Sequence, residues 1–230
     1  MEAFFSTCLK LYLYILLFFS TGLQAQRAET NVLYSNAKVL IVELESIDQL
    51  ELNSTDSENV FRVISNDIDD TNVPKVYAEN NIVYVKVASN LNKIEGSNKS
   101  KYRAGQPLFP KYIIQVPENI SAKVFYTKGN FISRGFRGDL DLHIQNYGKV
   151  EINKFSGTIN IEIFSGIVDC AVSHSIVNIE TSKGSVQSFL KDKRLIKTTT
   201  SLKGVYESSN NTLNIKTINA KVVLKPFKNQ

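Results

Sequence analysis

"GKVEINKFSGTINIEIFSGIVDCAVSHSIVNIETSKGSV", residues 148–186, sets glycine at near-regular intervals into a run rich in valine and isoleucine. Counted from Gly138, the series runs Gly148, Gly157, Gly166, Ser175 and Gly184, in steps of 10, 9, 9, 9 and 9 residues, with serine once in glycine's place. Two residues past these positions stand Leu140, Val150, Ile159, Val168, Val177 and Val186; four past stand Leu142, Ile152, Ile161, Cys170 and Ile179. Alternate side chains of a strand share a face, so both columns are predicted to point into a core. The column between them, Asp141, Glu151, Asn160, Asp169, Asn178 and Gln187, holds only acids and amides and is predicted to face water.

Each unit is then a strand of about five residues, ~17 Å long, and a turn of about four. Glycine is expected to supply a positive φ at that turn without steric cost, and Ser175 shows that the demand is not absolute. A nine-residue period is too short for one turn of a wide three-sided β-helix. Two units together, 18 to 20 residues, suit one turn of an all-β, single-stranded β-solenoid or β-roll with two sheets and rungs ~4.8 Å apart. An antiparallel β-meander sandwich has the same alternation, and spacing alone leaves strand direction open.

Upstream, "KVLIVEL" (38–44), "NVFRVIS" (59–65), "NIVYVKVA" (81–88), "KYIIQV" (111–116) and "AKVFYT" (122–127) are β-branched or aromatic runs between polar clusters, the pattern of strands. The longest interruption, 89–110, is polar, carries Gly96, Gly105, Pro107 and Pro110, and reads as a mobile loop. At the other end, "NNTLNIKT" and "AKVVLKPF" read as closing strands, with Pro226 ending the last.

The first 25 residues are a separate object. Lys10 precedes the apolar run 11–19, and small and polar residues lead to Ala25, as in a cleaved secretory signal peptide. The apolar run is shorter than the ~20 residues of a membrane-spanning helix. Cleavage removes Cys8 and leaves Cys170 unpaired, so the fold is expected to stand without an intramolecular disulfide. Residues 26–230 are read as a single all-β domain: N-terminal strands over 30–127, regular repeats over 128–190, and a basic loop with closing strands over 191–230. At 43% hydrophobic, this length can bury a substantial core. A net charge of +5, scattered along the chain, argues against a nucleic-acid surface.

Candidate functional residues are few. Lys191, Lys193, Arg194 and Lys197, with Lys203 nearby and only Asp192 opposing them, form a candidate surface-binding patch for an anionic membrane or polysaccharide. The same lysines also suit the guarding of an exposed strand edge. Asp67, Asp69 and Asp70 offer hard oxygen ligands without the glycine and distal glutamate of a helix-loop-helix calcium site, so they read as an acidic turn. Cys170 lies on an inward column, which argues against a Cys170–His174 nucleophile. Glu151 and Asp169 are predicted one rung apart on one sheet, as paired carboxylates of a polysaccharide hydrolase or lyase are; of the base a lyase also needs, the neighbouring outward positions show Lys149 but no clear cluster. Nothing in the sequence calls for a cofactor or a metal.

The run "YIIQVPENISAKVFYTKGNFISRGFRG" (112–138) followed by "GDLDLHIQNYGKVEINKFSGTINIEIFSGIVDCAV" (138–172) resembles the exported bacterial (auto-transporter) adhesin-like β-solenoid domains, over roughly residues 30 to 225. The resemblance implies a right-handed β-solenoid in the cell envelope and brings no catalytic residues with it. The 40 or so residues after the repeats are far short of a membrane barrel. The expectation is a non-catalytic exported protein of the periplasm, outer membrane or cell surface. Its partner would be an envelope component or a glycan, with self-association open and nucleic acid excluded. The alternative is a carbohydrate-active enzyme using the acidic column.

Overall fold

Strands form where the alternation predicts them. β1 (Arg27–Leu33), β2 (Val39–Glu43), β3 (Ser46–Thr55), β4 (Val60–Asn66), β5 (Lys75–Glu79), β6 (Ile82–Lys86) and β7 (Lys111–Pro117) precede β8 (Ile120–Ser156) and β9 (Thr158–Val172). Then come β10 (Ser175–Thr181), β11 (Ser185–Ser188), β12 (Leu195–Lys197), β13 (Ser201–Tyr206) and β14 (Asn211–Pro226). The computed structural model describes residues 27–33, 37–56, 60–66, 73–87 and 109–227. The leader, the aspartates Asp67, Asp69 and Asp70, and nearly all of the 89–110 loop lie outside the described residues.

β8 is 37 residues long, which fully extended would be ~120 Å. It bends instead. Most of its buried positions come in short alternating runs, 120–126, 131–133, 140–144 and 150–152, with Phe136, Gly148 and Phe155 between or after them, and the breaks fall near Gly129, Gly138 and Gly148. β8 then pairs in parallel with β9: Leu140 stands opposite Ile159, Leu142 opposite Ile161, Val150 opposite Val168 and Ile152 opposite Cys170. The Gly138 and Gly148 units therefore pair with the units two steps on, those of Gly157 and Gly166, and not by a hairpin with their sequence neighbours.

The continuation departs from the sequence reading. The two expected closing strands are one strand, β14, and it does not close the stack. It lies between β9 and the β10/β11 rung, parallel to both: Leu213 pairs with Ile159 and Val177, and Val222 with Val168 and Val186. β14 is itself a unit pair in disguise. Leu213, Ile215, Val222 and Leu224 repeat the spacing of Ile159, Ile161, Val168 and Cys170, and Ala220 pairs with Gly166, in glycine's place. The step from Val172 to Ser175 must cross two rung spacings, ~9.6 Å, which three extended residues can reach. Asn211 fastens this step. Its Nδ2 donates to the Ser173 carbonyl (3.2 Å), its Oδ1 accepts from the Gly157 N–H (3.1 Å), and its own N–H donates to the His174 carbonyl (3.0 Å).

Among the described residues, fourteen strands join one mixed sheet that does not close into a barrel. Parallel pairs fill its middle, and antiparallel pairs finish it: β1–β4–β7 and β5–β6 towards one end, β10–β13–β12 at the other. Both predicted inward columns are buried in one hydrophobic core that runs from Leu40 to Leu224. Each aliphatic side chain so buried stabilises by ~1.5–3 kcal/mol.

Positive φ accounts for only part of the glycine series. Gly138, Gly157 and Gly166 have φ of 148°, 115° and 138°, whereas Gly148 and Gly184 are absent from the left-handed region. What unites all five is contact: a Cβ on Gly166 would overlap the Gly148 carbonyl oxygen, one on Gly148 the Gly129 oxygen, and one on Gly184 the Ala220 oxygen. At Ser175 the left-handed residue shifts to His174 (φ 46°), and the buried serine hydroxyl donates to the Ser173 carbonyl at 2.7 Å. Gly166→Ala should therefore cost about 3 kcal/mol, from backbone strain plus overpacking. Gly135 has φ 137° but nothing within 4 Å of its absent Cβ, so Gly135→Ala should cost only about 1 kcal/mol. Urea unfolding midpoints of the two variants check the difference, and equal losses would sink the stacking explanation.

Candidate functional site

The predicted acidic pair forms as expected in position: Glu151 and Asp169 are register partners on adjacent β8 and β9 rungs. Each, however, is claimed by a lysine. Lys149 Nζ lies 2.7 Å from Glu151 Oε1, and Lys225 Nζ, brought by β14, lies 2.7 Å from Asp169 Oδ2. The bond to Glu151 raises the Lys149 pKa. Lys149 was visible as a neighbour in the sequence; Lys225 was not, because it reaches Asp169 only through the inserted strand. Among the described residues no group of three or more His, Cys, Asp or Glu side chains could hold a metal.

The basic patch divides in two. Arg194 is structural: its Nε and Nη2 donate to Asp192 at 3.0 and 2.7 Å, and Nη2 also reaches the Glu207 carbonyl. Asp192 also accepts from the backbone N–H groups of Arg194 and Glu207. The Arg194 side chain first, then these two N–H groups, hold the Asp192 carboxyl well below the usual carboxylate range. Lys203 is likewise committed, to Glu180. Lys191, Lys193 and Lys197 are exposed and make no ion pair among the described residues, around the short outermost strand β12, whose Ile196 is 75% exposed. Cys170 and His174 are not brought together. Cys170 is fully buried, whereas His174 is exposed and faces Glu207 at 3.5 Å.

A groove that the sequence did not announce lies where the chain turns from the first to the second half of each rung. It encloses about 720 Å³ and takes its lining from the same corner of four rungs, 143–145 of β8, 162–164 of β9, 216–218 of β14 and 180–182, with Thr200 and Ser201 beside them. Its outer ladder alternates basic and acidic residue types. His143 pairs in register with Glu162, Glu162 with Lys216, and Lys216 with Glu180. His143 Nδ1 is 3.1 Å from Glu162 Oε2, and the bond from Lys203 lowers the Glu180 pKa.

The corner itself is set by threonines in inward positions. Thr217 Oγ1 donates to Thr181 Oγ1 (2.9 Å), and these oxygens accept the N–H groups of Ala220 and Gly184 respectively as the backbone turns. On the rim, Phe164 and Ile218 occupy neighbouring rungs and remain 54% and 42% exposed. The sequence signal for this site was slight: seven residues past the glycine position stand Gln145, Ser173 and Ser182, but also Phe155, Phe164 and Ile218.

No family model and no curated protein matches the chain. Among solved structures it is similar to one described as a "putative cell adhesion protein" from Clostridium sporogenes, with 13% identity and a TM-score of 0.56 over 87% of this chain and 99% of that one. Two structures described as a "putative adhesin" are also similar. The Bacteroides fragilis protein has 11% identity and a TM-score of 0.32 over 87% and 97% of the chains. The Parabacteroides merdae protein has 9% identity and a TM-score of 0.28 over 87% and 96%. The first likeness is one of overall fold; the other two fall below the level at which a common fold is implied.

Two outcomes follow from the local chemistry. A carboxylate held below its unfolded pKa contributes stability above that pKa and loses it as pH falls through the folded value. The 191–207 segment should thus stay protected at neutral pH and loosen only in acid below about pH 4, while Asp192→Asn loosens it at neutral pH. Amide exchange of 191–207 reads both, and an unaltered Asp192→Asn profile would refute the assignment. Burial pushes the Cys170 thiol pKa up, so native protein at pH 8 should resist iodoacetamide and react once unfolded in urea. Native alkylation would reopen a role for this thiol.

Proposed function

We propose that this chain is a non-catalytic, adhesin-like exported protein of the cell envelope or surface. In this reading residues 26–230 form one β-solenoid domain, wound two units to a turn, that presents a rigid outer surface for binding or scaffolding. The parallel pairing of units 19 residues apart, as between Asp141 and Asn160, supports the winding. The carrying observation for a binding role is that the acid and amide column from Asp141 to Gln187 lies on the outer face, with Glu151 and Asp169, the acids that could have done chemistry, each held by a lysine. Such ion pairs on an exposed ladder contribute little to stability. The fold shared with a protein described in terms of cell adhesion is in keeping with this reading. The leader directs the chain out of the cytoplasm, to the periplasm, the outer membrane or the surface.

The deciding experiment is a glycan and polysaccharide array probed with purified protein, reading retention and product release together, with and without calcium. Retention without release is the expected outcome. If Lys191, Lys193 and Lys197 form the working patch, their joint replacement by glutamine should weaken retention on anionic polymers at least tenfold and flatten its salt dependence. Release of shortened products that stops in Glu151→Gln or Asp169→Asn would instead make the protein a carbohydrate-active enzyme and overturn the proposal.

A further inference from the structure

We propose that the corner groove binds a neutral polysaccharide chain, laid along the stacking direction with a sugar ring over Phe164; this rests on the reading of the protein as a binding module. The argument begins with what the groove excludes. β9 is paired on one side by β8 and on the other by β14, and β14 by β9 and β10, so the strands beneath the groove have no open edge. A peptide cannot bind here by adding a strand. Charge excludes more: Glu162 and Glu180 flank Lys216, with His143 and Lys203 each beside a glutamate. A polyanion would meet the two carboxylates, and a polycation Lys216 and Lys203, in a site whose charges already compensate one another.

What remains is an uncharged ligand with many hydroxyls and an apolar face. Phe164 and Ile218 supply an exposed apolar platform across two rungs. Gln145, Ser182 and Thr200 stand round it with both donors and acceptors. The lining is mostly polar, with Ile144, Ile163, Phe164 and Ile218 its apolar members; polar groups beside an apolar contact fix a ligand's orientation, and the groove's volume falls within the range ligand sites occupy. A pyranose ring has this dual character, with C–H groups on its faces and hydroxyls round its rim.

The groove's ends favour a chain over a single sugar. One end is closed by the 198–201 turn, where Thr198 and Ser201 share a 2.8 Å hydrogen bond and the Thr200 carbonyl accepts from the Thr181 N–H. Past His143 the surface continues to Phe125, which is 41% exposed with its ring centroid 6.1 Å from that of His143. A second apolar platform thus lies outside the groove, one rung beyond His143 and beside the charged ladder. Rungs ~4.8 Å apart repeat at close to the length one sugar adds to an extended chain, so successive rings can meet equivalent positions.

The test is native affinity electrophoresis of the purified protein through gels containing, separately, mannan, galactomannan, hydroxyethyl cellulose, laminarin or the polyanion dextran sulfate. At least one neutral polymer should retard the protein. Phe164→Ala should weaken that retardation at least tenfold, and Phe164→Tyr should keep it. Ser182→Trp, which fills the groove from an exposed position, should abolish it, all with unchanged melting temperature. Oligosaccharides of the retarding polymer should compete better as they lengthen. Retardation by no neutral polymer, or retardation that Phe164→Ala and Ser182→Trp leave intact, overturns the groove proposal. Retention by dextran sulfate alone, lost with Lys191, Lys193 and Lys197, overturns it while leaving the binding-module reading standing.

Discussion

Backbone carbonyl oxygens of one rung sit against the bare Cα atoms of the next at the glycine positions, as the Gly129 oxygen does over Gly148 and the Gly148 oxygen over Gly166. A methyl group at either site would hold the rungs apart at their corner. With that approach allowed, Val150 can stand on Val168 and Ile152 on Cys170, and the inward columns fuse into one core. The outward columns are aligned by the same register, which is why Asn160 reaches Asp141 at 2.6 Å and Asn214 reaches Asn160 at 2.8 Å. Steric permission at a few glycines thus decides both what is buried and what is displayed.

A stack of parallel rungs has two open ends, and each would expose core and unpaired backbone. Antiparallel strands finish both. At the C-terminal side the β12/β13 hairpin covers β10, and the Asp192–Arg194 pair, locked onto Glu207, fixes its entry. The outermost strand is only three residues long and has Lys197 at its end, features that discourage pairing with another chain. Edge protection and a binding role for the lysines remain compatible, since both require them to be solvated.

Much of this was legible in the residues. The period placed the inward columns correctly, and the two-unit spacing put Glu151 beside Asp169. Alternation found β2, β4, β6, β7 and the start of β8. What could not be read was stacking order, because a sequence shows which units are alike and not which ones touch. β14 hid its likeness behind Asn211 and Ala220, which stand in the glycine positions, so Lys225 and Ile218 could not be assigned neighbours. The role of glycine was read half correctly: φ explains Gly157, but contact explains Gly148. The groove escaped for a related reason, since its lining gathers corner residues from rungs that are far apart in the chain.

That distance has a consequence for how the surface comes into being. Asn214 meets Asn160 across 54 residues and Thr217 meets Thr181 across 36, whereas units within β8 and β9 meet across 19. Closing the longer loops costs more chain entropy before any contact offsets it, though the cost grows only slowly with length. The larger burden is order of assembly: β10 and β11 cannot pair with their final neighbour until β14 has been made and placed between them and β9. Until then Asp169 lacks Lys225, Glu162 and Glu180 lack Lys216 between them, and Phe164 lacks Ile218. The outer surface is therefore completed by β14, and only a molecule with that strand in place carries it.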